Sequence, residues 1–279
     1  MITTAQQDYI ENNAYVPEHL PPYVTSISRT EPCLVGDYLT YVKKDCLIFV
    51  GYPLTEVFQE DRMKSALDEA TKRFKPETIS LTAPLIPSFL SGCLLVSQDH
   101  YYRVDLTSFS ICQKLRNRLT RARRELSVEK SKIYDEEHRR LVEDFIKVHP
   151  VDQATRSLFQ RIAPYLSSSP TAWIFDARNE RNELVAFDVA ELQPRSYSFY
   201  MFNFTSDTLY VPGASDLLLS EVIQHATTKN KTFINLGLGI NPGVTFFKAK
   251  WGGVAFLPHA FCLFHPSSKE RLETLLQKL

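Results

Sequence analysis

The sequence predicts an α/β or α+β protein built as two units, each a mixed sheet covered by helices. Strand-like segments and helices with a 3.6-residue apolar period alternate in both halves of the chain. The length of 279 residues fits about two domains at roughly 150 residues each. We expect an N-terminal unit at 1–107, a helical connection at 108–166 and a C-terminal unit at 167–279.

Composition and charge exclude several classes of protein. The chain has 32 Lys+Arg and 32 Asp+Glu residues, and 44% of its residues are hydrophobic, which argues against disorder and against a wholly basic nucleic-acid-binding domain. No apolar run approaches the ~18–20 residues of a membrane span, and the first residues lack the features of a secretory signal. We therefore expect a cytoplasmic protein without a membrane span.

The cysteines and histidines predict neither a disulfide framework nor a metal site. The five cysteines, at positions 33, 46, 93, 112 and 262, are widely spaced and form no C-x-x-C pair. This pattern is typical of reduced, buried thiols, and Cys112 falls in an apolar helical seam. The seven histidines form no H-x-x-x-H pair, so we expect no metal cofactor.

A proline-rich lead-in of 32 residues precedes the elements of the first half. These are strands at Leu34–Thr40, Cys46–Gly51 and Thr78–Ala83, a helix at Thr55–Phe74, and two strands at Leu94–Val96 and Tyr101–Leu106. The helix is the clearest of them, because its apolar residues form one stripe and Pro76 follows its end.

Helices dominate the middle of the chain. The segments 108–126, 135–148 and 152–166 each have helical apolar periodicity. The first carries six basic and no acidic residues between Lys114 and Arg124, with Lys114, Arg118 and Arg121 along one stripe. This stripe either binds phosphates of coenzyme A or tRNA or is a solvated charged face, and the sequence favours neither.

Strands return after residue 166. They are predicted at Ala172–Asp176, Leu184–Leu192, Ser196–Phe204, Thr232–Leu236, Val254–Leu257 and Ala260–Phe264, with helices at 214–228, Val244–Trp251 and Lys269–Leu279. Aromatic residues on both faces of Ser196–Phe204 indicate a buried central strand.

The loop before the helix at 214 is a candidate phosphate-binding loop. The first N–H groups of a helix lack intrahelical partners and attract anions, and a glycine lets a ligand approach the backbone. Tyr210, Val211, Gly213, Ala214 and Ser215 lie at this position. The alternative is an ordinary N-cap at Ser215 or Asp216. A second glycine loop, 237–243, reads G-x-G-x-x-x-G, one residue too long for a dinucleotide-binding fingerprint.

Two motifs carry a resemblance to a known family. Asn235-Leu236-Gly237 ends a strand, and Phe247-Lys248-Ala249-Lys250-Trp251-Gly252 follows after a glycine-containing loop. In this order they resemble the GNAT acyltransferase superfamily, in particular the branch of Fem-type aminoacyltransferases and the catalytic domain of phosphatidylglycerol lysyltransferases. The resemblance covers about 196–264. It implies two GNAT-like units, with the donor site in the C-terminal one.

The resemblance also implies a function. An acyl or aminoacyl group would pass from acyl-CoA or aminoacyl-tRNA to an amine. Tyr210 and Ser215 depart from the loop that acyl-CoA enzymes usually carry, so the donor stays open. The alternative is a non-catalytic ligand-binding or scaffold protein with the same fold.

Several residues are candidates for the chemistry. Lys248, Asn235 and Trp251 lie in the two motifs, and the resemblance implies that they flank the donor. Lys248 either holds the donor's phosphate or carboxylate or is a lysine whose stem covers apolar surface. Asn203 would orient the amine or polarise the carbonyl, and its alternative is a satisfied core amide. Asp188 is the best candidate for a general base, although the alternation of its strand favours an outward-facing residue.

Overall fold

The computed structural model describes residues 2–90 and 92–266, which divide into two compact units. Unit 1 comprises the described residues up to Tyr101 and those from Ala255 onward, and unit 2 runs from Tyr102 to Val254. Unit 2 is therefore inserted into the chain of unit 1. This division differs from the predicted boundaries: the helical segment 108–166 is part of unit 2. The helix predicted at Lys269–Leu279 lies outside the described residues.

Unit 1 is a mixed sheet covered by helices. Its helices are α1 (Thr4–Asn13), α2 (Pro21–Ser28) and α3 (Glu60–Phe74), and its strands are β1 (Glu31–Val35), β2 (Tyr38–Lys43), β3 (Cys46–Val50), β4 (Thr78–Ala83), β5 (Leu95–Asp105, whose last residues belong to unit 2) and β11 (Val254–Phe264). The strand order is β1-β2-β3-β4-β11-β5. The parallel strands β3 and β4 are connected through α3 and pair from Cys46↔Thr78 to Val50↔Thr82.

Three predicted elements of unit 1 differ in the structure. Gly36, with φ 56°, turns the chain, so the predicted strand Leu34–Thr40 is the hairpin of β1 and β2. The two strands predicted between 94 and 106 are the single strand β5. The helix α3 begins five residues later than predicted, because the N–H groups of Thr55 and Glu56 donate to the Asp37 carboxylate instead of starting a helix.

The prediction that all cysteines are reduced, buried thiols is wrong. Cys93 and Cys262 form a disulfide within unit 1. Their separation of 169 residues gave no sequence signal for pairing. Cys112 is exposed at the N-cap of a helix instead of lying in its apolar seam, and Cys46 is also exposed.

Unit 2 is likewise built from mixed strands and covering helices. Its strands after β5 are β6 (Leu126–Ser131), β7 (Ala172–Asn179), β8 (Leu184–Glu191), β9 (Tyr197–Thr205) and β10 (Phe233–Leu238), and its helices are α4 (Gln113–Glu125), α5 (Glu136–Val148), α6 (Gln153–Phe159), α7 (Ile162–Ser168), α8 (Ala214–Thr228) and α9 (Pro242–Lys250). The strand order is β5-β10-β9-β8-β7-β6. The core lies where α8 and α4 pack on this sheet.

Two further differences concern the helical middle of the chain. Strand β6 follows α4 directly, where the sequence predicted the end of a helix. The single helix predicted at 152–166 is broken into α6 and α7. Pro164 explains the break, because a proline ring clashes with the carbonyl four residues earlier, here that of Gln160. None of the described helices combines the length and the apolar character that a membrane crossing requires.

Candidate functional site

The parallel strands β9 and β10 separate part of the way along their length. They pair at Phe233↔Tyr197, Ile234↔Ser198 and Asn235↔Phe199, and the register ends there. The later residues of β9 and β10 therefore border an opening in the sheet, and α8 follows the end of β9. The predicted order of strand, helix and neighbouring parallel strand in one sheet is confirmed.

A β-bulge at Met201 shapes the strand beside this opening. Val189 of β8 pairs with Phe202, and the next residue, Ala190, pairs with Tyr200, so Met201 is left out of the ladder with β8. Residues three apart on a regular strand point to opposite faces. The extra residue puts Tyr200 on the same face as Asn203, and both reach one carboxylate.

That carboxylate is Asp188, which is fully buried on β8. Its Oδ1 accepts hydrogen bonds from Nδ2 of Asn203 (2.6 Å) and from the hydroxyl of Tyr200 (3.0 Å). Its Oδ2 is buried without a hydrogen-bond partner. Burial raises the pKa of Asp188 well above its usual range, and the two hydrogen bonds oppose this only in part. A carboxyl in this state exchanges a proton at higher pH than an exposed aspartate.

A hydrogen-bond chain joins Asp188 to the start of α8. The hydroxyl of Ser215 donates to Oδ1 of Asn203 at 3.1 Å, while the amide group of Asn203 donates to Asp188. Gly213 is the N-cap of α8 with φ 92°, and a Cβ there would lie 3.1 Å from Cγ of Arg118. The N-terminus of α8, an anion-attracting feature, is thus held next to the buried carboxyl.

The other residues of the predicted phosphate-binding loop differ in their exposure to solvent. Tyr210 is 67% exposed, whereas Ala214 is buried and Val211 packs against the core of unit 2. Of the five predicted loop residues, Gly213 is the N-cap of α8, Ala214 is its first residue, and Ser215 bonds Asn203.

A second buried carboxylate, Asp216, lies in the first turn of α8. It accepts from Nζ of Lys250 (2.5 Å), from Nε1 of Trp251 (2.9 Å) and from the guanidinium of Arg118 (3.3 Å). Trp251 is fully buried and also stacks on Phe109. These contacts fix the helix start, so Trp251 contributes to packing, and its contact with a donor stays a prediction.

The predicted basic stripe of α4 is partly neutralised. Arg118 pairs with Asp216, and Arg121 pairs with Glu125 at 3.5 Å, while Lys114 is exposed. Since ion pairs offset the charge that a phosphate would meet, the stripe is a weaker phosphate site than its composition indicates.

Lys248 and Asn235 shape the turn that follows β10. Nζ of the buried Lys248 donates to the carbonyl of Leu238, and a Cβ on Gly237 would lie 3.8 Å from that Nζ. Oδ1 of Asn235 accepts from the N–H of Gly237 at 2.8 Å. Both predicted residues therefore hold the β10 side of the opening in place. Whether Lys248 contacts a donor stays a prediction.

The glycine loop after β10 does not belong to a dinucleotide-binding unit. Helix α9 is followed by β11, which pairs antiparallel with β4. The dinucleotide fingerprint requires a parallel strand after the helix. Within residues 2–90 and 92–266, no group of histidine, cysteine and acidic side chains is arranged to hold a metal ion.

Sequence reasoning missed Tyr200 and the bulge at Met201. Both lie in a run of aromatic residues that reads as a regular strand, and no glycine or proline marks the irregularity. Asp188 was found, but its burial was not, since every residue of β8 is buried on both faces of the sheet. A polar residue inside a strand that is otherwise apolar was the available signal.

Solved structures share this architecture at low sequence identity. The C-terminal domain of a putative lysylphosphatidylglycerol synthetase from Agrobacterium fabrum matches with a TM-score of 0.62 and 15% identity, over 93% of this chain and 92% of that chain. FemX matches with a TM-score of 0.61 and 11% identity, over 93% and 96%. A tandem GNAT protein from the clavulanic acid biosynthesis pathway matches with a TM-score of 0.54 and 9% identity, over 93% of each chain.

No protein-family model and no curated protein sequence matches the chain. The structural matches confirm the fold that the two sequence motifs predicted. The protein has a mixed α/β, tandem GNAT-like fold and is similar in structure to proteins of the Fem and lysylphosphatidylglycerol synthetase branch.

Proposed function

We propose that unit 2 is an acyltransferase site that moves an acyl or aminoacyl group from an activated donor to an amine. The observation that carries this proposal is the opening between β9 and β10, with the buried carboxyl of Asp188 and the start of α8 beside it. In the described part of unit 1, the parallel strands β3 and β4 do not separate in this way, because they pair along the whole of β3.

The reaction would proceed by direct attack of the amine on the donor carbonyl. The C–N bond forms, and the bond to the donor's thioester sulfur or ester oxygen breaks. The ionised carboxylate of Asp188 accepts the proton that the amine loses, and that proton then passes to the leaving sulfur or oxygen. The N–H of Met201, which is outside the ladder with β8, would polarise the carbonyl. Tyr200 and Asn203 hold Asp188 in place.

Two donors remain in the proposal. Acyl-CoA is supported by the anion-attracting start of α8 and by the likeness to the tandem GNAT protein, a structure solved without AcCoA. Aminoacyl-tRNA is supported by the likeness to FemX and to the lysylphosphatidylglycerol synthetase domain. Both donors are made in the cytoplasm, so a cytoplasmic location is part of this proposal.

Ligand-induced stabilisation tests the donor first. A ligand at a hundredfold excess over its Kd stabilises a protein by about 2.7 kcal/mol. We expect a rise in Tm with acetyl-CoA or a longer acyl-CoA, or with a charged tRNA, and no rise with adenosine alone. The stabilising donor is then assayed with a panel of amines for release of free thiol or uncharged tRNA.

The result separates the two functions that the sequence left open. Stabilisation together with turnover supports the transferase. Stabilisation without turnover on any amine indicates the non-catalytic ligand-binding alternative, and no stabilisation by any donor contradicts both.

A further inference from the structure

Two lysines lie over the ring of Trp173 at one edge of the unit 2 sheet, and two more are coupled to them through the charge of Lys229; we refer to all four as the lysine cluster. Lys130 lies on β6, the last strand in the sheet order, and Lys132 directly follows that strand. Lys229 and Lys231 follow the C-terminus of α8. Lys130 pairs in register with Phe175, two residues from Trp173 on β7, so these side chains share one face of the sheet.

The cluster has cations close to an aromatic ring and no acidic partner at the surface. Nζ of Lys130 and of Lys132 lie 4.1 and 4.5 Å from the ring centroid of Trp173. Lys231 donates to the carbonyl of Pro194 at 2.5 Å. Across the described ranges 2–90 and 92–266, none of the four lysines makes an ion pair with a carboxylate. Within the described part of the chain, none of the four is therefore directly paired with an acidic side chain.

The electrostatics agree with this geometry. Burial lowers the pKa of Lys130 and of Lys231, and the charge of Lys229 lowers both further. Against the lowering by burial, the carboxylate of Glu191 raises the pKa of Lys132 and of Lys231 and so offsets part of the positive charge. This buried carboxylate already accepts from the hydroxyls of Tyr165 (3.0 Å) and Ser169 (2.6 Å). Like charges gathered in this way favour a ligand that supplies several negative charges.

We propose that the lysine cluster and Trp173 bind a single-stranded segment of nucleic acid. Phosphates would replace the indole as the partners of Lys130 and Lys132, and the ring they leave is free to stack on a base. Lysines beside an aromatic side chain suit single-strand binding, because each nucleotide offers one phosphate to a cation and one base to a ring. Lys229, which is exposed, adds a further phosphate contact.

Binding of a fluorescein-labelled single-stranded RNA 20-mer, measured by anisotropy at 50 and 200 mM salt, tests the proposal. Three phosphate contacts give a slope of log K against log[salt] near −2, so affinity should fall about twentyfold between these concentrations. The triple variant Lys130→Ala/Lys132→Ala/Lys229→Ala should weaken binding at least tenfold at 50 mM and flatten the slope by about two. Lys132 and Lys231 each donate to a backbone carbonyl, that of Ser169 and that of Pro194, and Lys231 is left in place to keep one of these two bonds.

A matched control removes the same number of charges from unit 1. The variant Lys43→Ala/Lys64→Ala/Lys72→Ala changes three exposed lysines there and should bind like the wild type. The chain has two tryptophans, and Trp251 is 1% exposed, so quenching of tryptophan fluorescence by RNA reports on Trp173. Trp173→Phe should abolish the quenching. If the triple variant does not fold, as judged by circular dichroism, Lys229→Glu alone should still weaken binding.

Three results would overturn the proposal: no binding at 50 mM salt, equal binding by both triple variants, or binding only to vesicles of 3:1 phosphatidylcholine and phosphatidylglycerol. The last would assign the surface to a membrane. Equilibrium binding needs neither donor nor acceptor, so RNA binding and group transfer can each fail without the other.

Discussion

The buried carboxylates of Asp216 and Asp188 in unit 2 differ in their hydrogen-bond partners. Asp216 has three donors, among them Arg118 and Lys250, and so is held as a structural anion. Asp188 has two neutral donors and one unpartnered oxygen. A buried acid without a cation costs stability, and such costs concentrate at functional sites. This contrast makes Asp188 the better candidate for proton transfer.

The variant Asp188→Asn tests this role. Loss of a general base lowers the rate by about 10²–10⁴-fold. The wild-type rate should rise with pH through the raised pKa of Asp188, and the variant should lack that rise. The measurement is a pH–rate profile with the donor found by thermal shift. Asp207→Asn, an exposed loop carboxylate, is the control and should keep the wild-type profile.

The raised pKa of Asp188 also predicts how the free energy of unfolding depends on pH. The pKa of Asp188 is raised in the folded protein, so folding favours the protonated carboxyl. The resulting contribution to stability is fully present below the ordinary pKa of about 4 and is lost as pH rises through the folded pKa. Between pH 4 and pH 8, the free energy of unfolding of Asp188→Asn should therefore fall less than that of the wild type. An equal loss in both proteins would contradict the raised pKa.

His138 of α5 predicts a second pH dependence, unrelated to transfer. Its buried ring contacts carboxylates on both sides, with Nδ1 2.8 Å from Asp135 and Nε2 2.9 Å from Asp176. Burial lowers the pKa of His138, but Asp176 and then Asp135 outweigh it and raise the pKa above the usual value. The stabilisation is therefore fully present below about pH 6.5 and is lost as pH rises through the raised value.

The variant His138→Asn should remove this dependence. Its free energy of unfolding, measured by urea titration, should be lower than that of the wild type at pH 6 and approach it at high pH. Each unit by which the pKa is raised corresponds to about 1.4 kcal/mol. His149→Asn changes an exposed histidine after the same helix and should follow the wild type.

At the scale of elements, the site depends on where two strands stop pairing and where one helix begins. The register of β9 and β10 ends at Asn235, and α8 begins after Gly213. The sequence predicted the strands β9 and β10 and the helix α8. The helix start was visible because a glycine and small residues precede a clear apolar period. It could not predict the end of the pairing or the bulge at Met201, since both depend on the register of β9 with β8 and β10, which a local apolar pattern does not contain.

Gly213→Ala tests the start of α8. A non-glycine residue in a left-handed conformation costs roughly 1–2 kcal/mol, and the new Cβ would also lie 3.1 Å from Arg118. Gly36→Ala is the matched control, because Gly36 also has positive φ but open space around it. Both variants should lose stability by chemical denaturation. Only Gly213→Ala should also weaken donor binding, and equal donor affinities would remove the loop from the donor site.

At the scale of the whole molecule, the order of the strands in the sheet differs from their order along the chain. The sequence predicted the fold class and two units, and local periodicity located most helices and strands. It placed β11 in the second unit, whereas β11 pairs with β4 of unit 1. It also missed β6, because Leu126–Ser131 continues directly from a strong helix. Pairing of distant segments is decided by packing, which a local pattern does not contain.

The disulfide gives a last prediction at this scale. Cys93 and Cys262 are 169 residues apart, and the loop they close contains all of unit 2. Such a cross-link restricts the unfolded chain and typically stabilises by about 2–4 kcal/mol. Reduction should therefore lower Tm by roughly 5–15 °C, measured by differential scanning fluorimetry with and without reductant.

Two variants and a thiol count identify the bond responsible. Cys93→Ser/Cys262→Ser should have the lower Tm already and should not respond to reductant, whereas Cys46→Ser, which changes an exposed free cysteine, should respond like the wild type. Unfolded in the absence of reductant, the oxidised protein should show three reactive thiols, those of Cys33, Cys46 and Cys112. Five thiols and an unchanged Tm would mean that the bond does not form, because the entropic restriction of the unfolded chain exists only while the two sulfurs are joined.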